Sequence, residues 1–148
     1  MKKTPRRHPR HPRFFTIDWG TFPNQTLVFV GVPIGEWLKI AKGIKDAKKD
    51  FLSWIERESK SEELGELLKH CKGMFLSDTE HSYSILYFAE WSGNWDGYET
   101  LMHELHHAVH EMLGNKRGMR EEMEGLAYAQ EHLFRQARRK LDGHKDPA

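Results

Sequence analysis

One five-residue run, His103-Glu104-Leu105-His106-His107, constrains this chain more than any other feature. Residues four apart on an α-helix lie on one face, a turn from each other. On a helix, His103 and His107 are therefore placed to bind one Zn²⁺ ion, with about 2.0–2.1 Å from each nitrogen to the metal. Glu104 would stand beside the ion without binding it, where it could accept a proton from water. The run predicts a helix that carries zinc and a general base.

A simpler interpretation competes with this one, because the chain contains 10 histidines in 148 residues. His106 and His110 form a second pair four residues apart, and a polar helix face rich in histidine can be merely solvated. Only the pair at 103 and 107 has a glutamate directly after its first histidine. A short motif needs its structural context before it is assigned to zinc.

The residues around the motif predict a helix from Tyr98 to Leu113. Asp96 followed by Glu99 is typical of a helix start, and Gly114 of the residue just after a helix end. The apolar residues between them recur at helical spacing: Leu101, Met102, Leu105, Ala108, Val109, Met112 and Leu113. We therefore expect the motif in the middle of a helix that packs on the core.

Strands are predicted ahead of this helix, at Phe14–Ile17 and Gln25–Val32. Met74–Leu76 and Ser82–Glu90 indicate a β-hairpin, because a turn of polar residues separates them. These elements predict an α+β fold, in which a small, mainly antiparallel sheet packs on the motif helix and on a following C-terminal helix.

Three other helices are predicted. Apolar residues recur at helical spacing from Glu36 to about Glu58, which indicates one long amphipathic helix. Ser59-Lys60-Ser61-Glu62 is typical of a capping box and would start a short helix through Cys71. The last helix is expected from about Met119 to Leu141.

The length suits a single domain, which we place at residues 14–141, followed by a flexible tail at 142–148. The lone Cys71 excludes an internal disulfide and a Cys-rich zinc finger, so a zinc site must use histidine and carboxylate. No apolar run approaches the roughly 18 residues that cross a membrane, and no apolar segment follows the basic N-terminus as in a secretory signal. We expect a cytoplasmic protein that does not enter a membrane.

Residues 1–13 hold six basic side chains, three prolines and no acid, although the net charge of the chain is only +1. Such a segment cannot pack a core and is expected to be extended when free. It could bind nucleic acid or another acidic partner through phosphate or carboxylate groups. The alternative is a solubilising terminus.

A catalytic zinc takes three protein ligands and keeps one position open for water. The segment 119–128 supplies carboxylates just before small and apolar residues, and a helical hairpin would bring it back against His103 and His107. Glu121 and Glu124 are three apart on one face of that helix, and Tyr128 follows Glu124 by one turn. At this point either glutamate could complete the site.

The arrangement resembles that of gluzincins, zinc peptidases in which H-E-x-x-H lies on one helix and a glutamate on a following helix completes the site. The short gap and the run Glu124-Gly125-Leu126-Ala127-Tyr128 look most like compact phage-encoded metallopeptidases and, more distantly, the peptidase domain of ImmA/IrrE-type regulators. The likeness covers residues 25–141 in layout, but only residues 98–128 in specific positions.

This resemblance implies a minimal zincin-like fold and a zinc-dependent metallopeptidase, a hydrolase that acts on a protein or peptide substrate. It implies that His103, His107 and Glu124 are the zinc ligands, with Glu121, three residues earlier on the same helix face, in reserve. It also implies that Glu104 is the general base.

Two further roles depend on the resemblance. Tyr128 would polarise the scissile carbonyl or hold the tetrahedral intermediate, and the alternative is a core tyrosine. The alternative function is a non-catalytic module of zincin fold, structural or regulatory, such as a component of a phage particle. In that case the protein would be virion-associated and would use residues 1–13 to bind nucleic acid or an acidic partner. Glu104 argues against this alternative, since a purely structural zinc needs no general base.

Overall fold

The computed structural model describes residues 12–19, 22–45, 47–78, 83–112 and 123–143, with side chains throughout except at 22–24 and 123–126. Most of the predicted basic tail, all of the last five residues and Glu121 therefore lie outside the described residues. Arg13 ends the predicted tail but belongs to the fold, because its carbonyl accepts a hydrogen bond from Val30 N–H (2.8 Å) and its guanidinium pairs with Glu36 (3.0 Å).

The described residues form strands and helices in this order: β1 (Phe14–Trp19), β2 (Phe22–Val30), α1 (Trp37–Lys42), α2 (Lys49–Ser59), α3 (Glu62–His70), β3 (Gly73–Asp78), β4 (Tyr83–Phe88), α4 (Trp95–Met112) and α5 (Met123–Leu141). A single turn of 3-10 helix, Ile34–Glu36, precedes α1. Within these residues, no helix has the length and apolar character needed to cross a membrane.

The four strands form one sheet in the order β1-β2-β4-β3. β1 pairs with β2 and β3 pairs with β4 in antiparallel fashion, whereas β2 and β4 are parallel. The predicted α+β class, with a mainly antiparallel sheet and a β-hairpin before the motif helix, is thus confirmed. In this order β3 is an edge strand of the sheet.

Helices cover both faces of the sheet. Alternate residues of the central strands point to opposite faces, so Val28 and Val30 join one core while Leu27 and Phe29 join the other. The first core contains the buried sides of α4 and α5, and the second contains those of α1, α2 and α3. The motif helix therefore lies on one face of a three-layer structure.

The prediction of one long helix from Glu36 to Glu58 is wrong, because the chain breaks into α1 and α2. Gly43 ends α1, and glycine costs about 1 kcal/mol relative to alanine inside a helix. Buried Trp37 and Trp54 lie on either side of this break, in the same core. The apolar spacing continues through the break, which explains why periodicity alone suggested one helix.

Two helix starts also differ from their predictions. Ser61, rather than Ser59, caps α3, where its hydroxyl accepts a hydrogen bond from Leu64 N–H (3.1 Å). Ser59 instead donates to the Ile55 carbonyl within α2 (2.6 Å). Likewise Asn94, rather than Asp96, precedes the first turn of α4, and its side-chain oxygen accepts from Gly97 N–H (3.2 Å). Asparagine satisfies such an unpaired N–H as well as aspartate does.

The start of α4 is joined to the end of α5, so the two helices run antiparallel. Asp142 accepts hydrogen bonds from Trp91 Nε1 (3.2 Å) and from the hydroxyl of Tyr98 (2.9 Å). Leu133 and Ala137 of α5 are fully buried in the same core as α4. Asp142 therefore belongs to the folded domain, although it was predicted to begin a flexible tail.

Candidate metal centre

Helix α4 presents the motif in the middle of its 18 residues. Leu101, Leu105 and Ala108 are buried and anchor the helix on the sheet. Because the apolar stripe points inward, His103 and His107 are exposed on the other side of α4. The local pattern thus places both imidazoles at a surface that a ligand can reach.

The two imidazoles converge. Nε2 of His103 lies 3.1 Å from Nε2 of His107, and the ring centroids are 4.7 Å apart. Two nitrogens that bind one zinc ion in tetrahedral geometry are about 3.3–3.4 Å apart, since each bond measures about 2.0–2.1 Å. The prediction that the two imidazoles lie together on one helix face is confirmed, and metal binding itself stays a prediction.

Glu104 lies between these exposed histidines in sequence, yet its side chain is buried against strand β3. Burial raises the pKa of its carboxyl group above the ordinary glutamate value, whereas the charges of His103 and His107 and a backbone hydrogen bond from Phe75 act in the opposite direction. Overall, the pKa of Glu104 is raised. Glu104 is thus a carboxyl group in a sheltered position, held by the edge of the sheet.

A shallow cleft of about 350 Å³ brings Glu104 and one predicted ligand together. Its lining residues are Lys72, Gly73, Glu99, Thr100, His103 and Glu104. A second cleft of about 320 Å³ shares Lys72 and Thr100 with the first and extends toward Trp91 and the start of α4. The predicted base and His103 therefore face the same accessible space.

The third predicted ligand is not tested by the described side chains. Glu124 lies in the first turn of α5 but its side chain is outside the described part, and Glu121 is outside it altogether. Among the described residues, no group of three or more His, Cys, Asp or Glu side chains is placed to hold one metal ion. The structure thus brings His103 and His107 together, and the carboxylate ligand stays a prediction.

Tyr128 lies on α5, one helical turn after Glu124, and its side chain is 69% exposed. The interpretation of Tyr128 as a core residue is therefore wrong. Its proposed contact with a reacting carbonyl is a prediction that the described side chains do not test.

Other lining residues had no signal in the sequence. Lys72 and Gly73 were not predicted as site residues, and neither was Phe75, whose backbone hydrogen-bonds to Glu104. They become relevant because β3 runs alongside α4, and Thr100 of α4 lies opposite Gly73. This proximity is a long-range contact, which local sequence patterns do not encode.

The remaining histidines of α4, His106 and His110, are both exposed, and their ring centroids lie 4.2 Å apart. Partial burial lowers the pKa of His106, and the neighbouring His110, His107 and His103 lower it further. On α5, His132 lies 3.4 Å from a carboxylate oxygen of Asp18 on β1. His132 thus interacts with Asp18 and does not line the cleft.

Comparisons of the chain with protein-family models, with curated proteins and with solved structures gave no significant match.

Proposed function

We propose that this protein is a zinc-dependent metallopeptidase whose centre lies on α4. One observation carries the proposal: the Nε2 atoms of His103 and His107 converge to 3.1 Å beside a cleft that the buried carboxyl group of Glu104 also lines. A merely solvated histidine face needs no buried glutamate at this position. Two converging ligands and a sheltered base are two of the components that metal-assisted amide hydrolysis uses, and a third ligand would complete the site.

His103 and His107 would hold the zinc ion, with Glu124 of α5 as the third ligand. Zinc in such a site supplies Lewis-acid activation of a carbonyl group and of water. The donor set suits this metal, because zinc accepts imidazole nitrogen together with carboxylate oxygen.

Glu104 would act as the general base. A base works best when its pKa lies near the working pH, and burial moves the pKa of Glu104 in that direction. The hydrogen bond from the Phe75 backbone fixes the carboxyl group against β3. Glu104 would take a proton from water and return it to the leaving amine.

Strand β3 would position the substrate. Among the described strands its hydrogen-bonded partner is β4, and Gly73 at its start lines the cleft. An extended peptide can add to a sheet edge through main-chain hydrogen bonds, which binds many sequences and places the peptide backbone beside the catalytic groups. This geometry supports protein or peptide substrates over compact small molecules.

The test is cleavage of casein and of a mixed peptide library by the full-length protein, with and without bound zinc. Removing zinc with a chelator should abolish cleavage, and adding zinc back should restore it. Glu104→Gln should retain zinc and lose about 10²–10⁴-fold in rate, which is the usual contribution of a general base.

Glu66→Gln is the matched control, because Glu66 lies on α3, on the other face of the sheet, and its carboxylate pairs with Lys69 (2.9 Å) at the surface. It should cleave like the wild type. Cleavage that survives in Glu104→Gln would overturn the proposed mechanism. Zinc binding without cleavage by any variant would instead favour a non-catalytic binding module.

A further inference from the structure

A second histidine pair lies on α4 beside the proposed zinc ligands. His106 and His110 are one helical turn apart, and their ring centroids are separated by 4.2 Å with an angle of 49° between the planes. The corresponding separation in the pair His103 and His107 is 4.7 Å. The second pair is thus at least as close as the first in ring separation, and its spacing of four residues puts both rings on one face of α4.

Both rings of this second pair are available to a ligand. The side chains of His106 and His110 are exposed. Between ring centroids, His106 lies 4.2 Å from His110 and 6.4 Å from His107. The two pairs are therefore side by side along α4, and the rings of the second pair are not held by the protein core.

We propose that His106 and His110 form a second metal site, which takes Cu²⁺ in preference to other divalent first-row ions. Imidazole is a good ligand for copper, nickel and zinc, and Cu²⁺ binds most tightly of these to a given set of nitrogen ligands. Two ligands from one exposed helix face leave several positions around the ion for water or small anions. This site is independent of Glu104 and of any carboxylate from α5.

The site is weaker than the zinc centre for two reasons. It offers two protein ligands, whereas the proposed zinc centre has three. In addition, the rings of His106 and His107 are only 6.4 Å apart, so an ion in each site would feel the charge of the other. In the zinc-loaded protein the second site is the vacant one, so copper added at low excess should enter it before it replaces zinc in the first.

The experiment is a titration of the zinc-loaded, full-length protein with Cu²⁺. Bound copper and zinc are both counted by elemental analysis after dialysis, and electron paramagnetic resonance reports the nitrogen ligands of the copper. The wild type should gain copper with nitrogen ligands and keep its zinc. His106→Ala and His110→Ala should each lose about one copper per chain relative to the wild type, and keep their zinc.

His132→Ala is the matched control, since His132 is an exposed histidine of α5 that interacts with Asp18. It should bind as much copper as the wild type. Equal copper content in the wild type, His106→Ala and His110→Ala would overturn the proposal, and so would copper that only displaces zinc one for one.

The proposal of the second site can be contradicted separately from the proposal of the zinc centre. Should the wild type bind no zinc, the copper difference between wild type and His106→Ala would still be measured, in the metal-free protein. A missing difference there contradicts the second site alone, whatever the result for zinc or for peptide cleavage.

Discussion

A side chain at position 73 would place its Cβ 3.3 Å from Cγ of Glu104, because strand β3 passes directly against helix α4. The same Cβ would stand only 2.8 Å from Cγ2 of Thr100. Glycine at this position lets the sheet edge approach α4 closely. The backbone of Phe75, two residues later, can then hydrogen-bond to the carboxyl group of Glu104.

Gly73→Ala should therefore destabilise the protein by about 1–3 kcal/mol, as overpacking of a close contact usually does. It should also slow peptide cleavage, because the strand or the helix must shift and Glu104 moves with it. Chemical denaturation and the casein assay measure the two effects.

Gly65→Ala provides the control for this change. A Cβ at Gly65 meets nothing within 4 Å, and the residue lies inside α3. Alanine there should leave cleavage unchanged and stabilise the protein by up to about 1 kcal/mol. If Gly73→Ala were as stable and active as the wild type, the close packing of β3 on α4 would be contradicted.

The stability of the metal-free protein should depend on pH through Glu104. Burial raises the pKa of Glu104 in the folded state, so the folded protein holds this proton more tightly than the unfolded chain does. The corresponding stabilisation is complete below the unfolded pKa and is lost as the pH rises through the folded pKa. Glu104→Gln should not show this loss of stability with rising pH, because glutamine stays neutral.

The melting temperatures of metal-free wild type and Glu104→Gln should thus diverge as the pH rises from about 4 toward 7, with the variant becoming relatively more stable. Thermal unfolding in chelator at several pH values measures this difference. A difference that stays constant over the range would mean that burial does not raise the pKa of Glu104.

Asp142→Ala should loosen the junction between α4 and α5. It removes the acceptor for Trp91 Nε1 and for the Tyr98 hydroxyl, and Trp91 is buried. A buried donor without a partner costs about 1–3 kcal/mol, so we expect a loss in that range by urea denaturation. Glu131→Ala, which breaks only an exposed pair with Arg135, should change stability by less than about 1 kcal/mol. Equal effects of the two substitutions would contradict the role given to Asp142.

Glu124→Ala should weaken zinc binding if α5 supplies the third ligand. Removing one of three ligands lowers the affinity for zinc. Competition with a chromogenic chelator measures this affinity. Glu121→Ala should bind zinc like the wild type. The reverse result, with Glu121→Ala weakened and Glu124→Ala unchanged, would show that the helical register was assigned wrongly.

The sequence predicted those parts of the structure that local spacing controls. Leu101, Leu105 and Ala108 repeat at helical intervals around the motif, and they are the residues that bury α4. The same spacing put His103 and His107 on one exposed face, where their nitrogens converge. Periodicity determines which side of a helix faces the core, and two ligands on one helix need no other information.

Contacts between distant segments were not predictable in this way. Glu104 is buried where β3 lies beside it, and β3 is an edge strand because β4 lies between it and β2. The break at Gly43 was missed for a related reason, since α1 and α2 continue the same apolar spacing while both pack into one core. Pairing of strands and docking of helices depend on the whole chain, whereas periodicity reports one segment at a time.

The central claim is that His103 and His107, among the 10 histidines of the chain, hold the zinc ion. The most direct test is the zinc content of purified wild type, His107→Ala and His110→Ala after dialysis against zinc-free buffer. His110 is the matched control, because it lies on the same exposed face of α4 less than one turn away. We predict one zinc per chain in the wild type and in His110→Ala, and none in His107→Ala. Zinc retained by His107→Ala, or no zinc in the wild type, would contradict the metal centre proposed for this protein.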